Sequence, residues 1–282
     1  IGFTPRHKGS MWAASQSLRP GARFHRHFAS RLPLLLVLDL DETLVRVCCK
    51  GVHHNRNLRV VDFRVPIDVG TLPKATTYEC GVAVRPGLEK FLEWIKERRR
   101  EGLIEGPWIY TTSTPNYTKA LMRHVDPGGK IFAMRVLTRG QCTPCQVPGF
   151  FLKDMSMIRS TMDVDDCQMQ RRILVDNNPV SCVLHPAGSV LVRDWLGEAA
   201  EDHELQRLQE LLEVLLQDKE GNYAGRLAQI TRGFQSWTAR LKALGELLAQ
   251  QPEGDADVLR RIFREVSREC NDMKRELLGA AP

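Results

Sequence analysis

Residues 32–38, Leu-Pro-Leu-Leu-Leu-Val-Leu, form a short apolar run that ends in two acids, Asp39 and Asp41. By length the run suits a strand buried on both faces, as in a parallel sheet. Ligand sites in open α/β sheets lie just beyond the carboxyl ends of strands, where these acids would sit. A buried strand has no ordinary use for a carboxylate, because burying that charge is costly without a cation or donors. Mg2+ meets the need, since it takes a few carboxylate and carbonyl oxygens and keeps some of its waters. The pair alone stays ambiguous. It also suits a nucleotide-sugar metal site, or a helix start with Asp41 as N-cap.

The rest of the chain alternates strands with helices. Residues 58–66 and 78–85 read as a hairpin or flap. Residues 86–101 place Leu88, Phe91, Leu92 and Ile95 at helical spacing, with Pro86 near the start. Further strands are expected at 108–110, 131–137 and 173–175, and a helix at 116–124. That alternation predicts βαβ units and an open α/β sheet. After residue 202 the pattern turns helical. Leu205, Leu208, Leu212 and Leu215 mark one amphipathic helix, and residues 222–278 read as a helical hairpin broken at Gln251-Pro-Glu-Gly-Asp. Its apolar stripe is expected to be core, with a partner-binding role favoured if Phe234 and Trp237 are exposed.

Composition narrows the class. With 282 residues, 43% hydrophobic and 26% charged, the chain is neither disordered nor collagenous. No window approaches about 18 uncharged apolar residues, so no membrane span is expected. The net charge of +6 is carried by residues 1–33, where Arg6, Lys8, Arg19, Arg23, Arg26 and Arg31 meet no acid. The segment 1–32 therefore reads as a basic leader, either a mitochondrial transit-type segment or a solvated, partner-binding tail. Polyanionic RNA is one candidate partner. Eight cysteines in a chain this long predict free thiols in a reducing compartment rather than a disulfide scaffold. Cys142 and Cys145 form a lone Cys-x-x-Cys, and the second pair a zinc site would need is missing.

Four motifs, taken together, carry a family resemblance. Asp39-Leu-Asp41-Glu-Thr43 resembles motif I of the haloacid-dehalogenase superfamily. More narrowly it is similar to the phosphatases of the RNA polymerase II C-terminal domain and their NLI-interacting-factor-like relatives. Val-Arg-Pro-Gly at 84–87 resembles that family's arginine-proline helix start. Tyr110-Thr111-Thr-Ser113 resembles motif II, Lys153-Asp-Met-Ser resembles motif III, and Asp176-Asn177-Asn-Pro resembles motif IV. Trp195 and the helix after it match the family's closing segment. The resemblance implies a haloacid-dehalogenase-like, mostly parallel sheet flanked by helices over 33–217, with a C-terminal helical extension over 218–282.

The resemblance also implies a hydrolase, a Mg2+-dependent phosphatase acting on phosphoserine or phosphothreonine in proteins. Asp39 would be the nucleophile and Asp41 the general acid/base, with Thr43 orienting their loop. Thr111, Lys153 and Asn177 would bind phosphate, Asn177 also orienting its loop. Asp39, Asp176 and the backbone carbonyl of Asp41 would hold the metal. A second expectation comes from relatives that serve as mitochondrial import components. Here the chain would be a catalytically dispensable scaffold or assembly factor in a mitochondrial complex, such as a maturing ribosome or the import machinery. A mitochondrial location is expected from the leader, with nuclear or cytoplasmic as the alternatives.

Overall fold

The computed structural model describes residues 32–49, 58–69, 76–133, 135–145, 147–158, 166–198, 201–249 and 256–278. The basic leader to residue 31 lies outside the described residues, as do His53, His54 and Arg56. The strands are β1 (Leu34–Leu38), β2 (Val45–Cys49), β3 (Phe63–Val69), β4 (Thr76–Val84), β5 (Ile104–Tyr110), β6 (Val136–Leu137), β7 (Thr143–Pro144), β8 (Phe151–Leu152), β9 (Arg172–Asp176) and β10 (Ser189–Leu191). The helices are α1 (Leu88–Arg100), α2 (Pro115–Val125), α3 (Glu204–Leu215), α4 (Tyr223–Ile230), α5 (Phe234–Leu248) and α6 (Ala256–Leu278).

The main sheet has five parallel strands in the order β10-β9-β1-β5-β6. β1 lies at its centre, pairing Leu36 with Ile173 of β9 and Leu38 with Ile109 of β5. The alternation of a strand then sorts its side chains. Leu34, Leu36 and Leu38 pack with Phe91 of α1, Leu208 and Leu212 of α3 and Leu227 of α4. Leu35 and Val37 pack on the other side with Tyr110, Leu174, Trp237 and Leu241 of α5, and Ile262 and Val266 of α6. Every side chain of β1 is therefore buried, as its unbroken apolar sequence requires.

The C-terminal segment differs from the simple hairpin expected. The helix read as continuous across 227–248 is divided, with α4 ending at Ile230 and α5 starting at Phe234. Gly233 sits at the break with φ +75°, a left-handed conformation that a residue with a Cβ adopts at a cost. The break lets α4 join one core cluster and α5 the other. Trp237 is buried, so the stripe serves the core and carries no docking surface there. The second layer over the sheet is thus built largely from the extension itself.

A second sheet, β2-β4-β3, is antiparallel and forms the flap. Residues 45–49 were not expected as a strand. They pair with β4, and Cys49 faces Cys80 across the pair in a disulfide. This corrects the expectation that all the cysteines are free thiols, although one cross-strand bond is not a disulfide scaffold. Cys142 and Cys145 are free. β6 is shorter than expected because Asp126 diverts the chain before it. The buried Asp126 carboxylate accepts from the backbone N–H groups of Lys130, Ile131 and Phe132 at 2.8–3.2 Å and holds residues 126–132 in a tight loop. Among the described residues, no helix is long and apolar enough to cross a membrane.

Since Leu241 of α5 is fully buried against the sheet, Leu241→Ala should cost about 2–5 kcal/mol in a urea denaturation. A loss below about 1 kcal/mol would mean that α5 is not integral to the core.

Candidate active site

The carboxyl ends of β1 and β9 lie side by side, so Asp39, directly after β1, and Asp176, the last residue of β9, are brought together. The backbone N–H of Asp39 continues the ladder by donating to Val175 O at 2.9 Å. From outside the sheet, Lys153 places its ammonium between the two acids. Its Nζ donates to Asp39 Oδ1 and to Asp176 Oδ2, each at 2.5 Å. All three side chains are buried. A buried ion cluster of this kind is costly to desolvate and is held only by close, well-aligned pairing.

Asp41 lies two residues past Asp39 and is engaged by a different set of groups. Its carboxylate accepts from Ser113 Oγ at 2.8 Å, from Thr111 Oγ1 at 3.4 Å and from the Tyr117 hydroxyl. Thr111 and Ser113 follow β5, and Tyr117 lies in the first turn of α2. Thr111 Oγ1 also accepts the backbone N–H of Ser113 at 3.1 Å, which folds the β5–α2 connection around the acid. Asp39 and Asp41 therefore have distinct surroundings. One faces a cation and a second carboxylate, and the other faces three hydroxyl donors.

Burial raises both acids, against different opposing groups. Burial pushes the Asp39 carboxyl up to about 7, with Lys153 opposing and Asp176 adding to the rise. Burial also raises Asp41, against the hydrogen bonds from Tyr117 and Ser113. Burial pulls the Lys153 ammonium down, but the Asp176 and Asp39 charges outweigh it and its pKa is raised. Tyr117 is pushed well up by burial and by the Asp41 charge, so its hydroxyl remains a proton donor.

The loops are braced from behind. Thr43 donates to Asn177 Oδ1 at 3.3 Å, tying the turn after β1 to the turn after β9. Asn177 Nδ2 donates to Asp194 Oδ1 at 2.9 Å and lies 3.3 Å from Glu42 Oε2. Asn177 thus has both ends of its side chain engaged by neighbouring loops, its Oδ1 by Thr43 and its Nδ2 by Asp194 and Glu42. Arg85, fully buried, grips Asp202 through Nε and Nη2 at 2.9 and 3.0 Å, and donates to Thr43 O at 3.0 Å. Trp195 closes the bracing by donating Nε1 to Ala83 O at 3.1 Å.

Asp39, Asp41, Thr43, Thr111, Lys153, Asp176 and Asn177 are therefore gathered in one place. Ser113, at the end of the motif II segment, and Tyr117, just beyond it, carried no expected role in the sequence. Hydroxyls one helical turn apart at the start of α2 were the signal available. Arg85 likewise carried only a helix-start reading. Among the described residues, no three His, Cys, Asp or Glu side chains form a ready-made metal cluster. The oxygen donors present still fit Mg2+, which is usually held by one or two carboxylates together with substrate phosphate and water. Asp39 and Asp176 are such a pair, and the Asp41 carbonyl is the third ligand expected from the sequence. Two carboxylates share one ammonium, with Asp41 close by on hydroxyl donors, which leaves an excess of acidic groups suited to a cation.

Arg85→Met should destabilise the fold by about 2–4 kcal/mol, because it strands the Asp202 charge and the Thr43 carbonyl. The range is discounted for Asp202 being partly open to solvent. An unchanged denaturation midpoint would contradict this bracing role.

Comparison with known proteins agrees with the geometry. Residues 34–222 match the family model described as NLI interacting factor-like phosphatase. The chain is similar to human "Carboxy-terminal domain RNA polymerase II polypeptide A small phosphatase 2", 30% identical over 182 residues covering 64% of this chain and 57% of that protein. It is similar to the "Probable C-terminal domain small phosphatase" of Dictyostelium discoideum, 30% identical over 64% of this chain and 50% of that protein. "Phosphatase Herzog" of Drosophila melanogaster is 28% identical over 64% of this chain and 43% of its own length. The chain thus spans about half the length of these curated relatives. A solved structure of Fcp1, an essential RNA polymerase II CTD phosphatase, superposes with TM-score 0.42 at 20% identity, covering 88% of this chain and 67% of that one. The sequence match, rather than this superposition, carries the assignment. With two thirds of its length inside the family model, the chain belongs to the NLI interacting factor-like phosphatase family.

Proposed function

We propose that the protein is a Mg2+-dependent phosphatase that hydrolyses phosphoserine or phosphothreonine in proteins through a phosphoryl intermediate on Asp39. The observation that carries this reading is the pair of unlike carboxylates. Asp39 is poised beside Lys153, and Asp41 is held two residues away by the hydroxyls of Ser113, Thr111 and Tyr117. Two acids pushed toward different tasks by their surroundings are the usual mark of divided acid/base labour. Support also comes from the relatives, which are named as phosphatases.

The chemistry follows from those surroundings. Asp39 Oδ attacks phosphorus, and the bond to the leaving alkoxide breaks, giving an acyl phosphate on Asp39. Asp41, with its pKa raised by burial, delivers a proton to that alkoxide. Once the alcohol has left, the ionised Asp41 takes a proton from water, which attacks phosphorus and frees the Asp39 carboxylate. Thr111 donates a hydrogen bond and Lys153 supplies positive charge toward the equatorial oxygens. Asp39, Asp176 and the Asp41 carbonyl would hold Mg2+, which when bound neutralises phosphate charge and allows an anionic nucleophile to approach. Asn177, Thr43 and Arg85 keep the loops in register.

The polymerase tail belongs to the names of the relatives. The mitochondrial location and the ribonucleoprotein or assembly partner rest on the composition of the leader and stand as part of this proposal. Nothing in the comparisons supports a scaffold without catalysis.

Aryl phosphate hydrolysis by the full chain should require Mg2+ and fall by at least about 10³-fold in Asp39→Asn. Folded protein with no Mg2+-dependent turnover would overturn the reading. A second outcome follows from the raised Asp39 pKa. Folding stability from its protonated form is full below the unfolded value near 3.8 and is lost as pH rises through about 7. Mg2+ takes the ionised form, so it should raise Tm more at pH 7.5 than at pH 5.5 and should do neither in Asp176→Asn. An equal shift at both pH values would contradict this.

A further inference from the structure

Asp194 stands three residues past β10 and is shared between the active site and the C-terminal helix. One oxygen, Oδ1, accepts from Asn177 Nδ2 at 2.9 Å and from Lys274 Nζ of α6 at 2.6 Å. Asn177 directly follows Asp176, and its Oδ1 accepts from Thr43 in the turn after β1. An unbroken line of hydrogen bonds thus runs from α6 through Asp194 and Asn177 to the two turns that carry Asp39, Asp41 and Asp176. Lys274 lies outside residues 34–222, the part of the chain that matches the family model.

Lys274 has a specific electrostatic task in this line. The Asn177 amide faces two acids, Asp194 and Glu42. Glu42 is paired with Arg46. Lys274 does for Asp194 what Arg46 does for Glu42. Without it, two carboxylates would compete for one amide with only one of them neutralised, beside a site already rich in negative charge. The position of Lys274 is also set firmly, because its neighbour Met273 is fully buried, along with Ile262 and Val266 on the same helix. An ordinary surface ion pair contributes little. This one differs because its acid has a second partner in the catalytic loop.

We propose that Lys274 is a positioning residue. Through Asp194 it fixes the Asn177 amide and the turn carrying Asp176, so α6 sets the rate of a site it does not touch. The inference rests on the phosphatase reading above. It makes the C-terminal extension part of the working enzyme as well as part of the core.

The test uses the full chain with p-nitrophenyl phosphate and Mg2+, alongside NMR of the Asn177 side-chain amide. Lys274→Met should lower kcat about fivefold with KM nearly unchanged. Lys274→Arg should keep most of the rate, because it restores the cation. In an Asp194→Asn background, Lys274→Met should add nothing further. The Asn177 amide resonances should move in Lys274→Met while the denaturation midpoint stays close to wild type. Full kcat in folded Lys274→Met, or losses that simply add in the double variant, would overturn the relay. If wild type shows no Asp39-dependent turnover, the phosphatase reading fails separately. The Asn177 amide then decides alone: resonances unmoved by Lys274→Met overturn the relay, and moved ones support it.

Discussion

Two carboxylates buried at the ends of neighbouring parallel strands, with one ammonium between them, set the terms for the rest of this protein. Asp39 and Asp176 cannot be brought this close in a dry site without positive charge, and Lys153 supplies it from a separate segment. The parallel pairing of β1 with β9 places the acids, and both strands are buried along their full length. Rigid strands give the site its precision, because a carboxylate at the end of a packed strand has little freedom to drift. The same burial raises the Asp39 pKa, so a proton competes with any cation at this carboxylate as pH falls.

Sequence distance is spanned mainly by polar bracing. Arg85 reaches Asp202 and Thr43, Asn177 reaches Thr43 and Asp194, and Trp195 reaches Ala83. These contacts join the flap, the catalytic turns and the closing segment into one frame. The helical extension joins them in turn, through its apolar face under the sheet and through Lys274 at its polar edge. A helix outside the family's matched region thereby reaches toward the catalytic turn.

Much of this was legible in the residues. The unbroken apolar run at 34–38 suited by its length a strand covered on both faces, and the four motifs marked the acids and the lysine in order. Other features depended on partners far away in sequence. β10 has only three residues and β6 only two, too few to show a period. β6 was cut short by Asp126, whose capping of three backbone N–H groups has no local sequence signature. The motif marked Asn177, but the approach of Asp194 and Glu42 to its amide depends on residues outside that motif. The break before Gly233 was hidden because apolar spacing continues across it, although the glycine was there to be weighed. The disulfide was missed because cross-strand register, which sets Cys49 opposite Cys80, is not visible in the spacing of cysteines.

The central claim is that Asp39 carries the phosphoryl group and Asp41 moves the protons. Trapping the intermediate tests it most directly. The protein would be mixed with aryl phosphate and Mg2+, quenched in acid and reduced with borohydride, which converts an acyl phosphate on aspartate to homoserine for mapping by mass spectrometry. Conversion should appear at position 39, be absent in Asp39→Asn, and increase in Asp41→Asn, because an aryl leaving group needs no proton while hydrolysis of the intermediate still needs its base. Turnover without conversion at position 39, or conversion at another aspartate, would contradict the account.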